Sequence, residues 1–522
     1  MSKINELISA IEAAPKGPKT AALFDFDGTI IYGYSAFHFL RAQVMKGDLD
    51  IKDLMSTLQA MTQFGFGNID FASLIALTAQ FMAGYSKTDY DTFAQTVYDK
   101  HIGRLVYPEA RQLIDAHKAA GHTIAIVSSA TRFQVEPAAR DLGIDHVYCT
   151  ELAVDNDTFT GEIDGPPCFG MGKVDAAKAL LKQNKGRLAN TFFYSDSTDD
   201  SDLLLASGHP VALNPSRALR EMARENHWAQ ASFDSRGTPT LSQFIRSLAA
   251  TTSVVSAFAA GIPVFALTGS MRQSRNFSYA LFAETASALV GLELDVKGEA
   301  NIWKQRPAVF IFNHQSKTDM IIAAKLVRQD MAGVGKQEIK KLPIIGKVME
   351  WGGVVMIDRK NAESAIAAMK PLVDVMQNEG KSVVLAPEGT RSTTRKLGAF
   401  KKGAFHLAMQ AGVPIVPIVI HNASDIAPKG DFVFRPGKVR VEVLEPIETK
   451  HWRLEDLDQH VNDVRQLYLE ALGQAEPSAA KSNTPAAQTK ARKPRATKKR
   501  NSLAKSSARG VKTSNNSNNS NN

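Results

Sequence analysis

The stretch A21-A-L-F-D-F-D-G-T29 decides the fold of the first part of the chain. Its apolar residues form a short run that is typical of a buried strand. Asp25 and Asp27 stand two positions apart, so on extended backbone their carboxylates point in the same direction. A glycine turn follows at once. The stretch therefore predicts a strand whose end presents a pair of carboxylates.

Three more apolar runs follow this strand, TIAIVSS, TFFYSD and PVALNP, with helical patterns such as VDAAKALLKQ and RALREMAREN between them. Such alternation predicts a parallel sheet flanked by helices. Between the first two strands lie about 75 residues of mostly helical pattern, including IKDLMSTLQAMTQ and FASLIALTAQFMAGY. That length exceeds one crossover, so we expect an inserted helical cap over about residues 32–104.

Polar side chains stand at the ends of the later strands or at a helix start: Ser128, Lys173, Asp196 and Asp200. Ligands of open parallel sheets bind at the carboxyl ends of the strands. Clustered carboxylates without His or Cys suit Mg²⁺, and a lysine with a hydroxyl suits a phosphate group. An aspartate beside Mg²⁺ can attack phosphorus. Asp199 and Asp202, in the same acidic run, are interpreted as solvated turn residues.

With its four motifs in order, the region of about residues 20–245 resembles the haloacid dehalogenase superfamily, in its phosphoserine-phosphatase-like branch. The resemblance implies that Asp25 is the nucleophile and that Asp27 protonates the leaving oxygen and later activates water. It implies that Ser128 and Lys173 hold the phosphoryl group. The residues that it assigns to Mg²⁺ and its support are Asp25, Asp27, Asp196 and Asp200.

A second group of motifs begins at F310-I-F-N-H-Q-S-K-T-D-M320, which contains His314 and Asp319. On a helix these two side chains would lie about 140° apart, so they can meet only across a turn, here after the strand-like run AVFIF. WGGVVMIDRK and LAPEGTRS follow downstream and supply further polar residues. Residues 300 to about 475 therefore read as a second α/β region.

The residues of this second group suit acyl transfer. A neutral histidine can take a proton from an alcohol, and a carboxylate can orient it. Arg359 and Arg391 can each bind phosphate oxygens in a forked geometry. Gly389 permits close backbone approach and Thr390 adds a donor. No Ser or Cys nucleophile accompanies them, so the alcohol is expected to attack a thioester directly.

This region, about 290–445, resembles the glycerolipid acyltransferase family that makes phosphatidate from lysophosphatidate. The resemblance implies that His314 is the general base and Asp319 its partner. It implies an acyl-CoA or acyl-carrier protein as donor and lysophosphatidate as acceptor. The residues expected to bind the acceptor are Arg359, Glu388, Gly389, Thr390 and Arg391. Zinc at His314 is a poor alternative, since no further His or Cys stands nearby at ligand spacing.

The segment 247–271 carries no charged residue, and 277–292 is apolar apart from Glu284. Such lengths suit either a membrane-spanning helix or a pair of buried or amphipathic helices. In the families that the two regions resemble, the thioester donor is cytosolic and the phosphatase suits a Mg²⁺-rich compartment. Both α/β regions are therefore expected to lie in the cytosol. We therefore expect a helical pair at the cytoplasmic face of a bacterial inner membrane, peripheral or hairpin-anchored.

The net charge of +9 comes from the end of the chain. Without the 11 Lys and Arg residues from 481 onward, 51 basic residues face 53 acidic ones, a balance of −2. This tail is expected to be disordered and either solvated or attracted to an anionic membrane surface. Nucleic acid is not an expected partner because no nucleic-acid-binding fold accompanies the tail. With two cysteines and no apolar leader, a reducing cytoplasmic setting is expected.

The 522 residues are thus expected to form a phosphatase domain (1–245), an apolar helical segment (246–295), an acyltransferase domain (296–475) and a basic tail (476–522). The fold class is α/β in both domains. The expected protein is a bifunctional, membrane-associated enzyme that acylates lysophosphatidate and hydrolyses a phosphomonoester with Mg²⁺. Two alternatives stay open: a phosphoserine-type phosphatase fused to an unrelated lipid acyltransferase, and a membrane scaffold whose tail binds nucleic acid.

Overall fold

The structure is a computed structural model that describes residues 3–47, 71–341, 343–357 and 370–475. The basic tail and part of the expected cap, including IKDLMSTLQAMTQ, lie outside the described residues. Two α/β sheets follow one another along the described chain, with a helical hairpin between them in sequence. The predicted fold class is confirmed for both sheets.

The first sheet contains six parallel strands, with a separate antiparallel hairpin formed by the fourth and fifth strands of the chain. The strands of this part are β1 (Ala21–Phe24), β2 (Thr123–Thr131), β3 (His146–Thr150), β4 (Leu152–Asp155), β5 (Thr158–Ile163), β6 (Thr191–Ser195), β7 (His209–Leu213) and β8 (Ala229–Ala231). The sheet order is β3-β2-β1-β6-β7-β8, so β1 lies at the point where the order reverses. All four β1 residues are buried, as the apolar run predicts.

Helices cover both faces of this sheet, and four of the described ones lie between β1 and β2. They are α1 (Lys3–Ala13), α2 (Ser35–Lys46), α3 (Phe71–Met82), α4 (Lys87–Val97), α5 (Pro108–Ala119), α6 (Arg132–Leu142), α7 (Met171–Asn184), α8 (Ser201–Ala206) and α9 (Arg217–Glu225). The helical pattern FASLIALTAQFM is confirmed as α3. A helical insertion after β1 is thus present in the described residues.

The second sheet contains seven strands: β9 (Leu292–Lys297), β10 (Val309–Phe312), β11 (Met331–Lys336), β12 (Val355–Ile357), β13 (Ser382–Leu385), β14 (Ile415–Ile420) and β15 (Gly437–Val443). Their order is β12-β11-β13-β10-β14-β15-β9. Strand β15 runs antiparallel to β14, and the other neighbours are parallel. Strand β10 is fully buried between β13 and β14, so the chain order reverses here too.

Two long helices, α10 (Leu241–Thr268) and α11 (Met271–Val290), form the hairpin between the sheets. Gly269 ends α10 in the left-handed conformation with φ 66°, which permits the reversal within two residues. Gly261 lets the helices approach, and Ser274 Oγ donates to the Gly261 carbonyl at 2.7 Å. The predicted helical pair is confirmed. Helix α10 is long and apolar enough to cross a membrane, with a mean hydropathy of 1.7 in its most apolar window.

The remaining helices flank the second sheet: α12 (Asn301–Lys304), α13 (Asp319–Val327), α14 (Pro343–Trp351), α15 (Lys370–Glu379), α16 (Gly403–Ala411), α17 (Ala423–Ile426) and α18 (Leu457–Ala471). Among them, α14 contacts both helices of the hairpin. Tyr279 of α11 donates from its hydroxyl to the Gly352 carbonyl at 2.9 Å, just after α14. Phe265 of α10 packs edge-on against Trp351, with ring centroids 6.1 Å apart. The hairpin therefore packs along the second domain.

The two α/β regions also contact each other directly, through a set of residues that we call the domain junction. Arg236 donates to the carbonyls of Arg104 (2.9 Å), Asp425 (3.3 Å) and Ser424 (3.4 Å). Arg435 donates to the Gly237 carbonyl at 3.1 Å. Partly buried main-chain oxygens of both regions thus accept from arginine side chains, which ties the two regions together.

Candidate functional sites

The first site lies at the carboxyl end of β1. Asp25 continues the strand, and its N–H donates to the Tyr194 carbonyl at 2.9 Å. Lys173, near the start of α7, places Nζ 2.8 Å from Asp25 Oδ1 and 2.6 Å from Asp200 Oδ1. Burial disfavours the lysine charge, but the two carboxylates outweigh burial and raise the pKa of Lys173. The structure therefore brings together three of the residues that the sequence predicted.

Asp27 is held by the first turn of α2. The Ser35 N–H donates to Asp27 Oδ1 at 2.7 Å, and the Ser35 hydroxyl donates to Oδ2 at 3.0 Å. Burial raises the pKa of Asp27 to about 7, against the effect of the Ser35 bonds. A carboxyl group with that pKa is partly protonated near neutral pH, which suits a proton donor that later acts as a base.

Asp196 lies against the turn that follows Asp27. A Cβ on Gly28 would come within 2.1 Å of Asp196 Oδ2, and Gly28 has φ +74°, so only glycine fits here. The Thr29 hydroxyl donates to Asp196 Oδ1 at 3.4 Å. Burial, followed by the charges of Asp25 and Asp200, raises the pKa of Asp196 to about 8.

The carboxylates of this site suit a hard divalent cation. Burial and mutual repulsion raise the pKa of Asp25 to about 6 and that of Asp196 to about 8, a repulsion that a cation would relieve. Among the described residues, no three His, Cys, Asp or Glu side chains converge closely enough to form a ready-made metal cage. The Asp25 carboxylate pairs with the Lys173 ammonium group, and the Asp27 carboxylate accepts from the Ser35 hydroxyl, so both carboxylates are already engaged by protein groups.

Two other predicted residues take distinct positions. Asp200 is buried, and its second oxygen accepts from the Ser195 hydroxyl at 2.6 Å, so both of its oxygens are engaged by protein. It supports Lys173 rather than facing solvent. Ser128 ends the apolar part of β2 and is buried, with its Oγ accepting from the Ala130 N–H at 3.2 Å. Asp199 is exposed, in agreement with its interpretation as a turn residue.

The second site lies at the carboxyl end of β10. His314 Nδ1 lies 2.8 Å from Asp319 Oδ2, which also accepts from the N–H groups of Gln315 and Ser316 at 2.8 Å each. Asp319 is fully buried at the start of α13, and burial raises its pKa, against the bonds from His314. The two residues thus meet across a turn, as predicted. Because the carboxylate accepts at Nδ1, the Nε2 lone pair is the one that can take a proton.

Glu388 occupies a different position from the one expected of a substrate ligand. It is buried, and its Oε1 accepts from the His314 N–H at 2.7 Å while Oε2 accepts from the Gly398 N–H at 3.0 Å. Both carboxylate oxygens are thus bonded to main chain. The geometry assigns Glu388 to holding the backbone of the histidine in place.

The rest of the predicted acceptor group follows Glu388. Gly389 has φ +72°, and the Ser392 N–H donates to the His314 carbonyl at 2.8 Å, so the loop that carries Thr390 and Arg391 lies beside the histidine. Thr390 is exposed and Arg391 partly exposed. Arg359, the other predicted phosphate ligand, lies outside the described residues.

Some residues that shape both sites were not predicted. Ser35 lies eight positions after Asp27, and nothing in the sequence connects the two. Asn313 is different, because it stands within the quoted motif. Its side chain exchanges two hydrogen bonds with Ile420 of β14, at 2.8 and 2.7 Å, and so fixes the end of β10. A buried asparagine directly after an apolar strand was the available signal.

Two family models match the chain: the haloacid dehalogenase-like hydrolase model over residues 22–205 and the Acyltransferase model over residues 293–421. The 1-acyl-sn-glycerol-3-phosphate acyltransferase of Limnanthes alba is 34% identical over 184 residues, 35% of this chain and 65% of the relative. The alpha form of that enzyme from Mus musculus is 31% identical over 209 residues, 40% of this chain and 73% of the relative. The chain belongs to the 1-acyl-sn-glycerol-3-phosphate acyltransferase family.

In this family member, a haloacid dehalogenase-like hydrolase domain precedes the acyltransferase domain. The chain spans just under two thirds of the length of the first curated relatives that it matches, including 65% of the Limnanthes enzyme. The solved 1-acyl-sn-glycerophosphate acyltransferase of Thermotoga maritima is 25% identical, and the match covers 45% of this chain and 97% of that one with a TM-score of 0.38. Both resemblances expected from the sequence are confirmed at the level of family.

Proposed function

We propose that this protein is a bifunctional enzyme that acylates 1-acylglycerol-3-phosphate to phosphatidate and hydrolyses a phosphomonoester through an aspartyl-phosphate. One observation carries the proposal. In each sheet a pair of reactive side chains lies at the carboxyl end of a central strand, Asp25 beside Lys173 in the first sheet and His314 beside Asp319 in the second. Strand ends at an order reversal are where open α/β sheets bind ligands.

In the acyltransferase site, His314 acts as the base. With Nδ1–H donated to Asp319, Nε2 accepts the proton of the free glycerol hydroxyl. The hydroxyl oxygen attacks the thioester carbonyl carbon, the C–S bond breaks, and the thiol leaves with a proton from the imidazolium. Arg391, with Arg359, binds the phosphate group of the acceptor. The buried Asp319 stabilises the imidazolium as it forms.

In the phosphatase site, Asp25 attacks phosphorus while Lys173 holds its carboxylate in place. Asp27 donates a proton to the leaving oxygen, and then takes one from the water that cleaves the aspartyl-phosphate. Lys173 and Ser128 bind the phosphoryl oxygens. Asp25, Asp196 and the backbone of Asp27 would hold Mg²⁺. The bound ion would neutralise the negative charge of the incoming phosphate.

We also propose that the α10–α11 hairpin lies in the membrane interface on the cytoplasmic side. Its contacts with the second domain run from Ser247, whose Oγ accepts from the Phe434 N–H at 2.8 Å, to Phe265 at the far end. A helix that packs on a globular domain along that length is suited to lying in the interface rather than spanning. The side of α10 away from the domain exposes apolar residues, among them Leu241, Ile245 and Leu248.

The test uses purified full-length protein in detergent micelles with Mg²⁺, oleoyl-CoA and lysophosphatidate, and it follows phosphatidate and free phosphate together. We expect His314→Ala to lower acyl transfer by roughly 10²–10⁴-fold and to leave hydrolysis of a soluble phosphomonoester unchanged. Asp25→Asn should abolish hydrolysis and spare acyl transfer. Removal of Mg²⁺ by a chelator should have the effect of Asp25→Asn.

Matched controls are His451→Ala and Asp199→Asn, because both residues are exposed. Each should leave both activities at the wild-type level. The proposal fails for either half whose activity is insensitive to its own catalytic variant. If neither variant changes turnover, the scaffold alternative is favoured instead.

A further inference from the structure

One loop of the acyltransferase domain contacts both the loop that carries Arg391 and the phosphatase domain. Lys429 donates from Nζ to the Arg391 carbonyl at 2.7 Å, on the loop that follows Glu388. Its neighbour Gly430 lies against the phosphatase domain, where a Cβ would come within 3.0 Å of Arg104 Nη1. Two consecutive residues thus connect the acceptor-binding loop with a guanidinium group of the other domain.

Further basic side chains continue from Arg104 toward the phosphatase site. Arg104 Nε donates to the His101 carbonyl at 3.3 Å. The Tyr32 N–H donates to the Leu105 carbonyl at 2.9 Å, so the segment that carries His101 and Arg104 lies beside the loop between Asp27 and α2, the helix of His38 and Arg41. His38 follows Ser35, the residue that binds Asp27, by three positions on α2.

Further groups beside these basic side chains come from the acyltransferase motif that contains His314. Lys317, three residues after His314, donates from Nζ to the Phe432 carbonyl and lies 3.9 Å over the Phe434 ring. Burial lowers the pKa of Lys317 to about 8; the Asp431 carboxylate acts in the opposite direction, and the Arg391 charge lowers the pKa further. Lys317 thus adds a cation close to His314, with Asp431 as a neighbouring carboxylate.

Like charges held together repel one another, and an anion in their midst would relieve the repulsion. Exposed aromatic side chains border both ends of this surface. Tyr34 is 72% and Phe37 57% exposed near Asp27, and Phe432 is 42% exposed beside Lys317. Cations beside exposed aromatic side chains suit a molecule with an anionic head and an apolar body.

We propose that the phosphatase domain takes as its substrate the diacylated phosphate monoester lipid released by the acyltransferase domain, and that the lipid headgroup moves between the sites along a basic path. The cations of this basic path are Arg391, Lys429, Arg104 and Arg41, and His101 and His38 stand beside them as polar groups. The inference rests on the proposed function of the two sites and adds the substrate class of the phosphatase.

The reaction along this path is balanced by water alone. The P–O bond to the glycerol oxygen breaks as Asp25 bonds to phosphorus, and the glycerol oxygen gains a proton to become the alcohol of a diacylglycerol. Water then attacks phosphorus, which releases inorganic phosphate and regenerates Asp25. The acyltransferase reaction supplies the substrate, so the two reactions form a sequence on one lipid.

The test is isotope dilution with the full-length protein in mixed micelles containing Mg²⁺ and oleoyl-CoA. Lysophosphatidate labelled in its phosphate is added together with an excess of unlabelled phosphatidate. If the headgroup follows the basic path, labelled phosphate is released in greater proportion than complete mixing with the unlabelled lipid would give. We expect the double variant Arg41→Gln, Arg104→Gln to lower that preference roughly tenfold.

The same variant should keep wild-type rates of acyl transfer and of p-nitrophenyl phosphate hydrolysis, which shows that both domains are folded. Arg217→Gln is the matched control, since Arg217 is exposed and pairs with nearby Glu221 at 3.2 Å. Release at the mixing ratio by the wild-type protein, or an unchanged preference in the double variant, would overturn the path.

Two other outcomes separate this inference from the proposed function. Hydrolysis of p-nitrophenyl phosphate or phosphoserine, without release from any lipid, would overturn the inference and leave the phosphatase proposal standing. Failure to hydrolyse any phosphomonoester, or to acylate lysophosphatidate, would overturn the proposed function itself.

Discussion

At the scale of single residues, Gly28 shows how closely the phosphatase site is packed. Its Cβ position lies 2.1 Å from Asp196 Oδ2, so Gly28→Ala must displace that carboxylate. Because small displacements in a catalytic site are costly, we expect roughly a hundredfold loss of phosphomonoester hydrolysis, with acyl transfer unchanged. Gly33→Ala is the control, since Gly33 has a similar φ of +78° but open space around it. Equal effects of the two variants would point to backbone strain instead.

His117 makes the stability of the phosphatase domain depend on pH. It is buried between His122 and Tyr194, with ring nitrogens 2.8 Å from each partner, and burial lowers its pKa to about 3. The unfolded chain, with a histidine pKa near 6.5, binds a proton first as the pH falls. Stability is therefore lost between about pH 6.5 and 3, by up to about 1.4 kcal/mol per pH unit.

Urea unfolding at pH 7 and pH 5 measures this loss. We expect His117→Asn to be less stable than wild type at pH 7 but to lose less stability on acidification. His227→Asn, at an exposed position, should retain the wild-type pH dependence. An unchanged slope in His117→Asn would assign the acid sensitivity to other groups.

At the scale of elements, the hairpin depends on the glycine where its helices cross. A Cβ on Gly261 would come within 2.2 Å of Ser278 Oγ and 3.0 Å of Ser274 Oγ. Gly261→Ala should therefore separate α10 from α11 and cost about 1–3 kcal/mol of unfolding free energy. Ala259→Leu adds more volume on the exposed side of the same helix and should cost less. Thermal unfolding of both variants, followed by acyltransferase activity, checks the order.

The elements also show what the sequence can predict. Strands β1, β6, β10 and β14 are buried throughout, so their apolar runs identify them without any knowledge of partners. Strand β9 escapes such analysis, since LELDVK alternates in burial and pairs with β15, whose Gly437 lies opposite Leu292. Strands β9 and β15 are far apart in sequence, so their pairing appears only in the tertiary fold.

The contacts within the two sites also differ in whether the sequence predicts them. Contacts at strand ends, such as Asp25 with Lys173 and His314 with Asp319, follow from motif positions and the rule that parallel strands end at one edge. The bond from the His314 N–H to Glu388 does not, because it depends on where a loop returns. The domain junction was not predicted either, since none of its arginines stands in a motif.

At the scale of the whole molecule, Arg236 connects the two domains. It donates to main-chain carbonyls of Arg104, Asp425 and Ser424, and burial lowers its pKa to about 10. Arg236→Ala leaves these carbonyls without their donor, which should cost about 1–3 kcal/mol and uncouple the domains. Calorimetry should then resolve two transitions that the wild-type protein merges. Arg217→Ala, at the surface, should behave as wild type, and a single unshifted transition in Arg236→Ala would contradict this role.

The junction has a mechanical consequence. Arg236 and Gly237 stand just before the hairpin, yet they contact residues 424–435, well beyond it. The chain leaves the junction at residue 238, forms the hairpin and returns to the junction at residues 424–435. The hairpin therefore belongs to a closed ring of contacts and is not a flexible tether between two independent domains. A tether would let each domain drift and tumble on its own. Such a ring would pass a tilt of the hairpin to both domains at once, so that the proposed contact of the hairpin with a lipid surface would orient both catalytic sites together.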